Sequence, residues 1–219
     1  MNPLDPKFHI LPRSEKDIWP QLAPARGLGF VLYEGTAIAL RLGHRQSVDF
    51  DFFSQGNLDK DSIRQGLAFM RDATLIQDER NTLTVLTRDK VKVSFFGGLG
   101  FGRYGEPDVT RDGVLAIASL DDLMALKVKV ILQHSELKDY VDIAEMIKAN
   151  VSLAKGLSIA TDMFKPDFAP GIALKALVYF EEDNLKLLKK EIKKTITKAV
   201  EKVAMLPSVA RISDTLTNR

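Results

Sequence analysis

Apolar positions recur with period 2 in stretches of the first half of the chain and with period 3.6 through much of the second. Phe30–Tyr33 is a short apolar run of strand-forming residues. Gly35 permits a sharp turn, and Thr36 is placed to cap a helix whose apolar body is Ala37, Ile38, Leu40 and Leu42. Gly43 and His44 end that helix, and Val48–Phe53 returns as a strand. Strand alternation puts Asp49 and Asp51 on one face and Phe50 and Phe52 on the other, toward a core. After a turn at Ser54–Asn57, Asp59 or Asp61 starts a helix over about 61–71, with Ile63, Leu67 and Met70 inward. Residues 73–77 and 81–87 alternate as strands around a turn at 78–81, and 91–96 is a further strand. Upstream, residues 1–13 are an extended lead-in. Ser14 caps a short helix limited by Pro20 and Pro24, and Trp19 and Leu22 face the core.

The second half is helical. Ser119 and Asp122 resemble a capping box ahead of Leu120, Leu123, Met124 and Leu126. Residues 149–172 read as a linker around a short helix at 152–160, and Tyr179 and Phe180 as packing residues between the two halves. A long amphipathic helix over about 183–205 carries Leu185, Leu188, Ile192, Ile196, Ala199 and Val203 on one stripe. Its other side holds Lys186, Lys189, Lys190, Lys193, Lys194, Lys198 and Lys202, either a solvated face or a track for an RNA backbone. Residues 208–219 are expected to fray or pair with a neighbour. The pattern as a whole predicts an α/β (α+β) protein. Residues 1–115 form a mixed-sheet core, and residues 116–219 a helical C-terminal half that completes an active-site cleft.

Composition narrows this picture. The 219 residues contain no cysteine, which excludes disulfides and thiolate metal sites, and the net charge of +2 makes no global claim about nucleic acid. No apolar run approaches the roughly 20 residues that span a bilayer. The first residues, MNPLDPKFHI, lack a secretory pattern. The expectation is a soluble cytoplasmic protein with no membrane partner.

The chemistry centres on Asp49 and Asp51. Two carboxylates on one strand face repel unless a cation lies between them. A hard ion such as Mg²⁺ (or Mn²⁺) supplies that charge and brings phosphate substrates with it. Solvated carboxylates are the simpler alternative for an isolated Asp-x-Asp. The helix start at Gly35 and Thr36 offers free N–H groups for a phosphate. Lys92 shares a strand face with Ser94, and an exposed strand lysine is its simpler reading. Residues 97–113 hold six of the fourteen glycines and form a loop, not a P-loop, from which Arg103 and Tyr104 reach toward substrate. Lys138 and Asp142, four apart on a helix, fit an ordinary surface ion pair, whereas Asp139 and Asp142 share a helix face.

Three blocks resemble the AbiEii/AbiGii-type toxin nucleotidyltransferases. The first is Gly35-Thr36-Ala37-Ile38-Ala39-Leu40, then His44-Arg45, Ser47 and Asp49-Phe50-Asp51-Phe52-Phe53. The second is Ser119–Leu123 with Lys127, then Lys138-Asp139-Tyr140-Val141-Asp142-Ile143, and the third is the Ala176–Phe180 run before Glu181 and Glu182. The resemblance implies a nucleotidyltransferase-like fold and an Mg²⁺-dependent transfer of a nucleoside monophosphate from an NTP to an acceptor hydroxyl. The acceptor it suggests is tRNA or another RNA. It also implies a toxin of a toxin–antitoxin or abortive-infection system, restrained by a cognate antitoxin. Asp49 and Asp51 would be catalytic and hold the metal, Lys127 and Asp139 would be catalytic, and Gly35, Thr36, Arg45, Ser47 and Lys138 would contact nucleotide or phosphate. Two positions depart from the family pattern, Glu34 in place of a glycine and His134 in place of an arginine, and Ser94 stands where many nucleotidyltransferases carry a third carboxylate, although a similar VKVSFF strand occurs in relatives. They keep a second reading open, a catalytically degenerate member that acts as a binding or regulatory module.

Overall fold

A mixed seven-stranded sheet organises the first of two units in the computed structural model, which describes residues 3–217. The strands are β1 (Val31–Tyr33), β2 (Asp49–Phe53), β3 (Thr74–Glu79), β4 (Thr82–Leu86), β5 (Lys92–Phe96), β6 (Asp108–Val109) and β7 (Ala116–Ile117), in the spatial order β3-β4-β5-β2-β1-β7-β6. β2 lies near the centre, antiparallel to β1 and parallel to β5. The helices of this unit are α1 (Arg13–Ile18), α2 (Ala23–Gly27), α3 (Glu34–Leu42) and α4 (Lys60–Gly66). The unit runs to Ser119 and takes in the chain again from Ile212.

The aromatic face of β2 makes the core, as the alternation requires. Phe50, Phe52 and Phe95 are fully buried, and the Phe52 and Phe95 rings stack at 5.3 Å with Phe30 edge-on to Phe95 at 5.1 Å. Trp19 packs edge-on against Phe8 at 4.9 Å, and its Nε1 donates to Asp112 Oδ2 at 2.8 Å, so the indole is buried with its donor satisfied. Gly43 closes α3 in the left-handed region at φ 72°, with its N–H on the Ala39 carbonyl.

Several local expectations change. Ser14 lies inside α1, which Pro12 precedes, and donates to the Glu15 carboxylate, so it is no cap. Asp59 is the cap of α4, accepting from Ser62 N, but the helix stops at Gly66 and a 3-10 turn over Ala68–Arg71 follows. The glycine-rich stretch is not a loop that offers Arg103 and Tyr104 to substrate, because both are buried. Arg103 N donates to Ser213 O at 2.8 Å, and its Nη1 donates to the carbonyls of Thr215 and Thr217 at 2.7 and 2.9 Å. Residues 212–217 are thereby strapped onto the sheet unit with Leu216 buried, which is the pairing and not the fraying of the two expectations, and residues 218–219 lie outside the described residues. Hydrogen-bonding partners 112 and 114 residues away are invisible to a local reading.

The second unit, Leu120–Arg211, is helical: α5 (Leu120–Val130), α6 (Leu137–Lys148), α7 (Leu153–Met163), α8 (Pro170–Val178), α9 (Asp183–Lys186) and α10 (Lys190–Glu201). The expected linker is mostly helix, started by Ser152, whose hydroxyl accepts from Lys155 N. α5 and α7 approach closely at Gly156, where a Cβ would lie 2.3 Å from Met124 Cγ. The long basic helix is broken at Leu187–Lys189 into α9 and α10. Leu185, Leu188, Ile192 and Ile196 stay buried, and Leu187 is turned outward. No helix among the described residues is long and apolar enough to cross a membrane.

Replacing Arg103 with Met removes a buried charge that holds three tail oxygens. Such a loss is expected to cost about 2–4 kcal/mol. Urea denaturation followed by fluorescence of the single Trp19 reads the sheet unit directly, and an unchanged midpoint would show that the strap contributes nothing.

Candidate functional site

The pairing of β2 with β5 builds the acidic site. Asp49 is in register with Lys92, and Asp51 with Ser94. Parallel neighbours in register project to the same side, so two carboxylates, an ammonium and a hydroxyl share one surface. Lys92 Nζ lies 3.1 Å from Asp49 Oδ2, with both side chains partly exposed. Ser94 is buried and its hydroxyl hydrogen-bonds the Asp51 carboxylate. The β5 position that would carry a third carboxylate therefore donates a hydrogen bond to the second one.

Burial, above all, raises the Asp51 pKa from 3.8 to about 6. The Glu34 and Asp49 carboxylates raise it too, against the opposing effects of Lys92 and the Ser94 hydrogen bond. Glu34 opens α3 with φ 61°, a left-handed conformation that favours glycine. The departure from the family glycine thus brings backbone strain and a third negative charge beside Asp51. Asp49 and Asp51, two carboxylates on one strand face with Asp51 penalised by burial, fit a divalent cation. Mg²⁺ in particular binds through one or two carboxylates and completes its shell with water and phosphate. No group of three or more His, Cys, Asp or Glu side chains gathers into a metal cage among the described residues. The fit is therefore to an open, phosphate-assisted ion rather than an enclosed one.

Thr36 is not the helix cap. Tyr33 holds that place, and Thr36 is buried inside the first turn of α3. Its Oγ1 lies 2.7 Å from Ser47 Oγ and donates to the Asp49 carbonyl. Ser47 and Thr36 thus form a hydroxyl relay that fixes the backbone of the first aspartate, a positioning task with both hydroxyls turned away from solvent. Gly35 sits beside them in the same helical turn, and Arg45 is partly exposed with Nη1 donating to Gln46 O. A cavity of about 780 Å³ lies at the far end of β1 and β2, lined by Gly27–Phe30, Ser54–Asn57 and Thr215–Thr217 among others. Among the described residues its lining includes no cation, and Asp59, the one acid among them, is committed to capping α4.

In the helical unit, Lys127 and Asp139 come together as an ion pair, Nζ to Oδ1 at 2.7 Å. Asp142 Oδ2 lies 3.8 Å from the same ammonium. All three side chains are almost fully buried, and Asp139 Oδ2 has no hydrogen-bond partner. Lys138 does not pair with Asp142 as helix spacing suggested. It reaches Glu136 Oε2 at 2.8 Å, a contact that raises the lysine pKa and lowers that of the glutamate. His134 is half-exposed, 3.7 Å from Glu136. Sequence reasoning names neither the Lys92–Asp49 contact nor the Lys127–Asp142 contact. The signal for Lys92 was its place two residues before Ser94, but only the β2–β5 register shows which aspartate it meets.

With this geometry described, the comparisons add a family. The family described as "Nucleotidyl transferase AbiEii toxin, Type IV TA system" matches residues 23–209. The chain belongs to the AbiEii family of nucleotidyltransferase toxins of type IV toxin–antitoxin systems. An uncharacterized protein of Aquifex aeolicus (strain VF5) is 30% identical over 155 residues, which cover 70% of this chain and 74% of the relative. A solved "putative nucleotidyltransferase from H. pylori" aligns over 89% of this chain and 97% of its own, at 13% identity and a TM-score of 0.44.

The raised Asp51 pKa gives a signed expectation. Below about pH 4 the carboxyl is protonated in both folded and unfolded states and costs nothing. As pH rises toward about 6 the unfolded chain ionises first, so stability falls through that window and stays lower above it. Asp51→Asn is expected to stabilise the metal-free protein at pH 8 by something of the order of 1–3 kcal/mol, with the gain vanishing near pH 4. Equal denaturation midpoints at pH 8 would contradict this. In the helical unit, Lys127→Met strands two buried carboxylates and is expected to cost about 3–5 kcal/mol. Lys138→Met, which breaks a half-exposed pair, should cost under about 1 kcal/mol. Circular dichroism during urea unfolding compares the two, and equal losses would refute the distinction.

Proposed function

We propose that this protein is an Mg²⁺-dependent (or Mn²⁺-dependent) nucleotidyltransferase. It transfers the nucleoside monophosphate of an NTP to an acceptor hydroxyl and releases pyrophosphate. The observation that carries this reading is the placement of Asp49 and Asp51 on one strand face, with the electrostatic strain recorded by Asp51. A divalent ion relieves that strain, and when bound it supplies positive charge to the triphosphate in the transition state. Asp49 and Asp51 hold the ion, while Thr36 and Ser47 keep Asp49 in place. Gly35, at the start of α3, and the guanidinium of Arg45 are the proposed phosphate contacts on this unit. Lys138, half-exposed, is a further one.

The roles of Lys127 and Asp139 in the reaction rest on the family resemblance. Their burial and direct pairing support an ion pair that keeps each side chain in a single geometry. The proposed acceptor is RNA, with tRNA as the first choice. The basic face of α9 and α10, with exposed Lys186, Lys190, Lys194 and Lys198, supports phosphate-backbone affinity without base selection. The proposed setting is the cytoplasm, where a cognate antitoxin restrains a growth-arresting activity of the abortive-infection kind.

A second reading has its own observation. Ser94 replaces a carboxylate with a hydrogen-bond donor, and Glu34 adds charge where a triphosphate would approach, as in a degenerate module that binds nucleotide without turning it over.

Incubation with Mg²⁺, bulk tRNA and each α-labelled NTP in turn separates the two. Wild-type protein is expected to place label in RNA, and Asp49→Asn or Asp51→Asn to reduce it by about two orders of magnitude or more. Label on protein instead would move the acceptor and keep the chemistry. No label, together with no Mg²⁺-dependent NTP binding, would overturn the transferase.

A further inference from the structure

A cavity of about 370 Å³ lies within the helical unit, between the segment that follows α5 and the end of α8. Its volume falls in the range of small-ligand sites. Two planar side chains border it, the half-exposed His134 and Tyr179, which is 57% exposed. Tyr140 lines it too, but packing accounts for that residue: it is buried, and its hydroxyl donates to the Ala176 carbonyl at 3.0 Å. Tyr179, with most of its surface in water, is not explained in that way. The two walls are tied together. Ser135 Oγ donates to Glu182 Oε1 at 3.4 Å, and Asn184 Nδ2 donates to the Ser135 carbonyl. The neighbouring surface is basic. Phe180 meets Tyr140 edge-on at 6.2 Å and lies 5.3 Å under Lys193 Nζ of α10, the helix that also carries the exposed Lys190, Lys194 and Lys198.

From this we infer that the cavity binds one nucleobase with an exocyclic amine, stacked on Tyr179 and read by the Glu182 carboxylate. This inference rests on the RNA-acceptor reading for the source of the base. The charge of the lining argues for a base and against a phosphate. Glu182 would repel a phosphate, whereas a base is neutral and leaves its phosphates outside the cavity, within reach of the α10 lysines. An exposed aromatic ring offers stacking to any base, because every base has a π-face. Selection then falls to the polar lining. An ionised carboxylate only accepts hydrogen bonds, so Glu182 favours adenine, cytosine and guanine, which carry an amine, over uracil, which has carbonyls in those places. Ser135 and Gln133 line the same cavity with further polar groups. A lysine track by itself gives affinity without base choice, and the cavity beside it adds the choice. The base could belong to a single strand or to a free nucleotide, and the adjoining lysines favour the strand.

The test measures binding and not transfer. Fluorescein-labelled oligo(A), oligo(C) and oligo(U) of about eight nucleotides are titrated with the full chain over a series of salt concentrations, and ATP and CTP with Mg²⁺ are titrated calorimetrically. The proteins compared are wild type, Tyr179→Ala, Tyr179→Phe, Glu182→Gln and Ile172→Ala. Ile172 is 60% exposed on α8 and does not line the cavity, so it controls for the rest of that helix surface. Wild type is expected to bind oligo(A) and oligo(C) about fivefold or more tightly than oligo(U). Tyr179→Ala should weaken oligo(A) about fivefold to a hundredfold with an unchanged salt dependence, because a stacking face is lost and no cation is. Tyr179→Phe should stay within about twofold of wild type. Glu182→Gln should bring oligo(U) within about twofold of oligo(A), and Ile172→Ala should match wild type throughout. A loss in Tyr179→Ala that appears with ATP and CTP but not with the oligomers would keep the base site and make a free nucleotide its source. Tyr179→Ala affinities equal to wild type for oligomers and nucleotides alike would overturn the base site while leaving the RNA acceptor standing. An equal loss in Ile172→Ala would assign the effect to the α8 surface and overturn it as well. A wild-type protein that binds neither oligomers nor nucleotides would sink the RNA-acceptor reading, and this inference with it.

Discussion

The parallel pairing of β2 with β5 is the constraint on which the site depends. It is a central contact of the sheet, sealed on one face by Phe50, Phe52 and Phe95, so neither strand can slip without exposing that aromatic core. The same register fixes the opposite face, where Asp49 meets Lys92 and Asp51 meets Ser94. A one-residue slip would bury the aspartates and put the phenylalanines in water. Packing on one side of the strand therefore enforces an unfavourable charge arrangement on the other.

That arrangement is costly for Asp51, because burial with the Glu34 and Asp49 carboxylates outweighs the relief from Lys92 and the Ser94 hydroxyl. Glu34 holds a left-handed backbone and sets a further carboxylate near Asp51. Thr36 and Ser47 use their hydroxyls to hold the Asp49 backbone. Strain concentrated on one face of a central strand, with hydroxyls holding the backbone beside it, is the expected signature of a binding site. The buried Lys127–Asp139–Asp142 cluster is a different device. There the charges pair with each other, and conformational definition is the gain.

Much of this was legible in the sequence, for identifiable reasons. The Asp-x-Asp alternation flanked by phenylalanines states both the strand and its two faces within five residues. The Gly43 stop and the Asp59 start are equally local. What could not be read depends on contacts between distant segments. Thr36 looks like a cap until Ser47 and the Asp49 carbonyl are seen against it. Arg103 looks like a loop cation until the tail folds back onto it. Lys92 looks like a surface lysine until the strand pairing sets it on Asp49. Helix spacing offers Asp142 as an ion-pair partner for Lys138, whereas Glu136, which the lysine reaches, precedes the helix and escapes that rule.

The central claim is that Asp49 and Asp51 together hold a divalent ion. Anomalous diffraction from crystals grown with Mn²⁺ and a non-hydrolysable NTP addresses it most directly. The account predicts a manganese peak in bonding contact with carboxylate oxygens of both Asp49 and Asp51, with nucleotide phosphate on its open side. A peak elsewhere, or bound nucleotide with no ion on the two aspartates, would contradict it.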